Sequence, residues 1–415
     1  METTAIQAPG APGAAPHWSP SAKDGIGTAY NANSRVWFTL SHGVLNEIFC
    51  PHVDLPVTRD FEFLITDGES FIHEEKRDLK HQLEMPEPDA MLYRLTNSAP
   101  DGRYRLIKEI ITDPHRTVVL VRVRLEIPDE SLRDKLRMYA VVAPRLGGGG
   151  AGNSGYRCEK AQARLLHAER GGVHLIMACT GGFSKRSAGF VGTSDGWQDL
   201  HKGNFQMDWQ YPAAEDGNIA LTGEADFTAI PDLGDGAREF TVAIGFGDTA
   251  QSAATRTLQA IVTPWPEQRE SFVAQWKRAA ISPEFDFSKW TGDGGALYRV
   301  SRNVLLAHED KAFEGAMTAS LSTPWGETKT DKDCGGYHLV WTRDLVQSAS
   351  ALLATGQTAT PLRALIWLAC IQDKDGSFPQ RRDASMHSTE EGPARGSCLG
   401  AQLGRRPPRF NASGN

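Results

Sequence analysis

Residues 104–127 read YRLIKEIITDPHRTVVLVRVRLEI, and the spacing of apolar side chains in this stretch decides the fold. In its second half Val119, Val121, Val123, Leu125 and Ile127 alternate with Leu120, Arg122, Arg124 and Glu126. That is the period of two by which a strand turns one face to a core. Asp113-Pro114-His115 divides the stretch. Proline presets φ and aspartate bonds its own backbone, so the tripeptide predicts a turn between two strands. Strands joined so closely pair antiparallel.

The same pattern extends outward. Val36, Phe38 and Leu40 alternate with polar neighbours, as do Phe61, Phe63 and Ile65. Further strands are predicted at Met138–Ala143, Val173–Ala178, Phe205–Trp209 and Phe240–Phe246, with Gly, Asp and Pro clusters between them. Many strands with few helices predict an antiparallel sandwich over residues 24–263, preceded by a flexible Ala/Pro/Gly-rich arm over 1–23. At Thr263-Pro264-Trp265-Pro266 the alternation stops, and the polar helical stretch Glu267–Ala280 predicts a helical linker over 264–292. Beyond it Leu297, Val300, Val304 and Ala307 recur at spacings of three and four, and Leu345–Ala354 and Pro361–Gln372 read as further helices, making 293–380 α-helical. Residues 381–415 carry six Arg, no Lys and almost no large apolar side chain, and read as a disordered or aberrant tail.

Composition narrows the function. With 40% hydrophobic and 23% charged residues, the 415-residue chain can bury two or three domains. A net charge of -7 argues against a nucleic-acid partner, whose phosphates demand cations. No run approaches the roughly 18 apolar residues of a membrane span, and METTAIQAPGAPGAAP has neither a basic nor an apolar signal region, so a cytoplasmic protein without a membrane partner is expected. The six cysteines (Cys50, Cys158, Cys179, Cys334, Cys370 and Cys398) form no CxxC pair. His73-Glu74-Glu75 begins like a zincin motif, but Arg77 stands where the second histidine belongs, and no transition-metal site is read.

Two motifs invite dismissal. Gly147, Gly149 and Gly152 satisfy G-x-G-x-x-G, yet a dinucleotide site needs a strand running directly into a helix, and Pro144-Arg145 interrupts that exit; a flexible glycine loop is expected. Gly192, Ser194 and Gly196 match G-x-S-x-G, but Trp197-Gln198-Asp199-Leu200 makes a poor helix start, so a turn is expected rather than a nucleophile elbow. The informative segment is residues 334–344, CGGYHLVWTRD. Arg343 and Asp344 can form an ion pair at a helix start, where a carboxylate suits the backbone dipole. They can equally donate to and accept from vicinal sugar hydroxyls, with Trp341 and Tyr337 offering flat faces to a pyranose ring.

Residues 315–380 contain SLSTPWG (320–326), YHLVWTRD (337–344) and DGSFPQ (375–380), and closely resemble the start of the catalytic domain of glycoside hydrolase family 15. Upstream, Asn31-Ala32-Asn33-Ser34, Pro51, Arg59-Asp60, Gly150–Gly155 and TSDGWQDL (193–200) resemble the amino-terminal domain of glucodextranases and bacterial glucoamylases. The resemblance implies a super-β-sandwich related to galactose mutarotase, a helical linker, and the first helices of an (α/α)6 barrel. It implies that Arg343 and Asp344 bind the 4- and 6-hydroxyls of the non-reducing glucose, that Trp341 lies beside them and that Tyr337 assists. The implied substrate is an α-glucan or maltooligosaccharide, hydrolysed with inversion by two glutamates roughly 6.5 to 9.5 Å apart. After Gln380 the chain departs from the family pattern. Glu390 and Glu391 stand in Ser-Thr-Glu-Glu-Gly-Pro, with no apolar wall to raise a carboxyl pKa, so no catalytic residue is assigned and the chain is expected to be catalytically incomplete. No cofactor is expected; calcium in the β-domain is an open expectation by analogy, although no D-x-D-x-D-G loop stands out. The alternative is a non-enzymatic carbohydrate-binding or scaffolding sandwich.

Overall fold

The computed structural model describes residues 7–280, 287–321 and 336–385. The deciding stretch forms Arg105–Thr112 and Val118–Glu126, paired antiparallel with Ile110 opposite Val121. They lie inside a nine-stranded sheet in the order Ala213–Gly217, Asn153–Lys160, Ala163–Arg170, Val173–Cys179, Ala237–Gly247, Val118–Glu126, Arg105–Thr112, Leu92–Ser98 and Lys80–Glu87. A second sheet runs Gly25–Gly27, Trp37–Ser41, Val44–Phe49, Thr58–Thr66, Arg137–Pro144, Ile219–Ala225 and Phe183–Phe190, with Ile72–Glu74 paired to Thr58–Thr66. The pairings within both sheets are antiparallel. Their inner faces close on one core that includes Trp37, Phe61, Phe63, Leu106, Ile110, Val121, Val123 and Phe240. Each large side chain there contributes about 1.5–3 kcal/mol over its exposed state.

A charged pair sits inside that core. Glu75, in the short helix α1 (Glu75–Asp78), meets Lys108 Nζ at 2.5 Å, with side-chain exposures of 0% and 2%. Its other oxygen accepts the Phe63 amide at 2.8 Å, Asn97 donates to the first at 2.5 Å, and Lys108 also reaches the Gly43 carbonyl at 2.9 Å. Such saturation is what makes a buried ion pair tolerable.

Several expectations are corrected. Residues 7–23 are not a free arm: Ala8 donates to the Ala213 carbonyl, Ser194 to Pro9, Asn218 to Pro12 and Arg145 to His17, and Trp18 is buried under the Arg145 guanidinium. Residues 1–6 lie outside the described residues. Phe205–Trp209 is not a strand, because the Asp199 carboxylate takes the Asp208 and Trp209 amides at 2.9 and 2.7 Å. Gly196–Leu200 does form a short helix, α2, capped by Asp195 accepting from the Gln198 amide at 2.9 Å; Ser194 is buried and bonded to backbone, as a turn residue would be. The glycine loop is pinned rather than loose. Asn153 Nδ2 donates to the Gly149 and Gly150 carbonyls, and a Cβ on Gly149 would stand 2.4 Å from Arg170 Nη1.

Helix α3 (Ala250–Val262), absent from the sequence reading, starts with a Thr249/Ser252 capping box. It lies close on the outer face of the nine-stranded sheet, where a Cβ on Gly245 would come within 2.1 Å of Thr257 Oγ1. Helix α4 (Trp265–Ala279) is the expected polar helix, and it docks on the Asp113-Pro114 turn: Gln275 donates to the Pro114 carbonyl at 3.0 Å and Gln268 to Asp113 at 3.3 Å. The predicted later helices are α5 (Ala296–Ala307), α6 (Thr342–Ala354) and α7 (Ala359–Ile371). On α7 the buried set is Thr360, Ala364, Trp367 and Ile371, one helical stripe, while Leu362, Leu365 and Ile366 are more than half exposed. Among the described residues no helix is long and apolar enough to cross a membrane.

Candidate functional site

The site is held by two layers of contact. In the lower one, the turn after α5 is gripped by the sandwich. Asp310 accepts the Val53 amide at 2.8 Å and stands 3.6 Å from His52 Nδ1, an ion-pair contact longer than a hydrogen bond. Burial would lower the His52 imidazole, but Asp310 outweighs it and holds the ring above its ordinary pKa. Burial would likewise raise Asp310, and His52 reverses that too. Lys311 reaches Thr28 Oγ1 and the Ser34 carbonyl, both at 2.5 Å, and lies over the Trp37 ring. Its ammonium is pushed well down by burial. Just before Asp310, Glu309 accepts from Arg363 Nε and Nη2 at 2.6 and 2.7 Å and from the Thr360 hydroxyl at 2.8 Å, which ties α7 to the same turn.

In the upper layer, Val340–Trp341 forms a two-residue strand paired with Arg381–Arg382. The chain then enters α6 with Trp341 in an extended N-cap conformation. Thr342 anchors the junction, donating from its amide to the Gln380 carbonyl at 3.2 Å and from its hydroxyl to Pro379 at 2.5 Å. DGSFPQ thus meets the WTRD segment directly through its last two residues. The Asp375 carboxylate bonds the Ser377 hydroxyl and amide, which holds it below its ordinary pKa.

Of the four residues singled out from sequence, Tyr337 and Trp341 meet at this junction, and Arg343 and Asp344 follow in the first turn of α6. Tyr337 and Trp341 have ring centroids 6.0 Å apart, and the Arg381 guanidinium lies 5.7 Å over the indole. Arg343 is 80% exposed and approaches Asp344 only to 3.7 Å. Neither side chain makes a hydrogen bond to a described residue. An ion pair this open adds little to stability, whereas its unsaturated donors and acceptors remain available to a ligand. His338 is buried, its ring tilted at 37° to that of Trp18 with centroids 5.9 Å apart, and it is pushed down to about 4 by burial and then by Arg145. It is a neutral packing residue that sequence reasoning did not single out. Ser322–Gly326, Cys334, Gly335, Glu390 and Glu391 lie outside the described residues, as does the rest of the tail from 386.

Comparison with known proteins identifies the family of the two regions. The family described as glucodextranase, domain N, matches residues 8–280, and glycosyl hydrolases family 15 matches residues 294–370. A glucoamylase of Clostridium sp. (strain G0005) is 32% identical over 375 residues, 90% of this chain and 51% of its own length. A solved bacterial glucoamylase complexed with acarbose superposes with a TM-score of 0.85 at 31% identity, covering 92% of this chain and 55% of that one. The chain therefore spans about half the length of these relatives.

Proposed function

Because this chain belongs to the glucodextranase domain N family and carries the opening of a family 15 glycosyl hydrolase module, we propose that it presents the sugar-recognising corner of a glucoamylase-type site without the groups that cleave the glycosidic bond. The ligand is the non-reducing end of an α-glucan. Arg343 donates to, and Asp344 accepts from, neighbouring hydroxyls of the terminal glucose, and Trp341 with Tyr337 covers the apolar face of the ring. The observation that carries this reading is the open Arg343–Asp344 pair, 3.7 Å apart in the helix turn that directly follows Trp341. Acarbose binding is a property of the solved relative, and the same chemistry is assigned here by kinship alone.

Inverting cleavage requires one protonated and one ionised carboxyl facing each other across the sugar. A general acid needs an apolar setting to stay protonated near neutrality. In the described helical region the shifted carboxylates, Asp293, Asp310 and Asp375, all move the other way, held below their ordinary pKa. The exposed Leu362, Leu365 and Ile366 also leave α7 with an apolar face that a closed ring of helix pairs would bury. These observations support binding without turnover. Titration calorimetry of the 415-residue polypeptide with maltotriose and with acarbose tests the recognition half: heat that disappears in Arg343→Ala supports it, and heat that is absent or unchanged in that variant refutes it.

A further inference from the structure

The hairpin Ala163–Arg170/Val173–Cys179 turns on Gly171 and Gly172, both at positive φ, and carries three ligand-type side chains on the outer face of the nine-stranded sheet. Glu169 lies directly opposite His174, and His167 stands two residues back on the same face. Leu165 and Ile176, further along that face, pack under α3 with Ala253 and Ala254, so the backbone beneath the group is fixed. His167 Nε2 and His174 Nδ1 face each other at 3.1 Å, and the imidazoles stack at 5.3 Å with an interplanar angle of 11°. Glu169 Oε2 is 3.3 Å from that same His174 nitrogen and 3.8 Å from that same His167 nitrogen.

Three donor atoms therefore lie within 3.8 Å of one another, close enough to share a proton or one bound metal ion. The edges suit a metal. With zinc–ligand bonds of about 2.0–2.1 Å, a tetrahedral site has donor-to-donor edges of about 3.3 Å. Glu169 has no ion-pair partner among the described residues other than these two rings. His167 and His174 are largely buried, with side-chain exposures of 10% and 17%, while Glu169 at 41% leaves a side open to solvent. The sequence reading missed this set because H-x-E-x4-H matches no helical zinc motif; the ligands converge only through strand pairing.

We propose that His167, Glu169 and His174 form a divalent transition-metal site that takes zinc with two imidazoles and one carboxylate, leaving one position to water. The ion staples the hairpin beside α3 and is separate from the sugar site. The test is zinc chloride titrated into the chelator-stripped full chain in competition with a chromophoric chelator, with cupric ion as a spectroscopic stand-in. One equivalent of zinc binds, the affinity falls about 100-fold or more in His167→Ala and in His174→Gln and about 10-fold in Glu169→Gln, and His115→Ala binds as the parent does. Zinc raises the thermal midpoint of the parent but not of His174→Gln. Copper gives nitrogen hyperfine structure from two imidazoles, and loses it in the same variants. Parent affinity no greater than that of a circular-dichroism-verified His167→Ala/His174→Ala chain would show an imidazole–imidazole hydrogen bond only and overturn the assignment.

Discussion

Asp54 Oδ2 accepts a hydrogen bond from the backbone amide of Ala384 at 2.6 Å, joining a loop of the sandwich to the chain just beyond the DGSFPQ segment across 330 positions of sequence. Ala384 in turn offers its carbonyl to Trp367 Nε1 at 3.3 Å, so the carboxylate supports α7 as well. The candidate site is therefore built on the β-domain, not on helices alone.

That contact titrates. Burial pushes Asp54 up to about 6, with Asp310 and Asp383 adding to the rise and the Ala384 amide and His52 opposing it. A carboxyl whose folded pKa lies above its unfolded value of about 3.9 favours the fold at low pH, and that advantage is lost as pH rises through 6. His52, also raised, acts in the same direction; Asp310, lowered, weakens the fold only on further acidification. The thermal midpoint of the parent should fall between pH 4.5 and 7.5 relative to Asp54→Asn, in which the amide oxygen can still accept from Ala384. A shift of about two pKa units bounds the effect at roughly 3 kcal/mol. Parallel pH profiles for the two proteins would remove Asp54 as the cause.

Glu75→Gln and Lys108→Met each leave one buried charge without its partner. Urea denaturation should show either change destabilising the sandwich by about 3–5 kcal/mol, and the double change by less than the sum. Additive losses would mean that the two groups do not act as a pair.

Arg343→Ala should leave stability within about 0.5 kcal/mol, since the side chain is exposed and its ion pair loose. The same change should abolish measurable heat with maltotriose. A stability loss above 1 kcal/mol with unaltered sugar binding would restore the plain helix-start ion pair.

The sandwich was legible because its strands bury one face and write a period of two; the Val119–Ile127 alternation became a strand with each of those five side chains buried. What hid was two-sided burial. Val118 and Leu120 are also buried, because α3 covers the outer face there, and that helix is rich in Ala, Thr and Gln with no strong apolar stripe to announce it. The arm looks loose in sequence for a related reason. Its Ala, Pro and Gly bury little side chain, yet their backbone groups bond to Ala213, Ser194 and Asn218, which no local pattern encodes. At the candidate site, WTRD and DGSFPQ were readable as motifs, but their meeting through Thr342, Pro379 and Gln380 was not. His52, Asp54 and Asp310, which support that meeting, come from segments more than 250 residues apart and carry no motif of their own.

Glucose release by the purified 415-residue chain from maltotriose and isomaltotriose separates recognition of the glucan end from its cleavage. Release should not exceed that of Asp344→Asn under the same conditions. Steady glucose production by the parent chain, abolished by Asp344→Asn, would contradict recognition without cleavage.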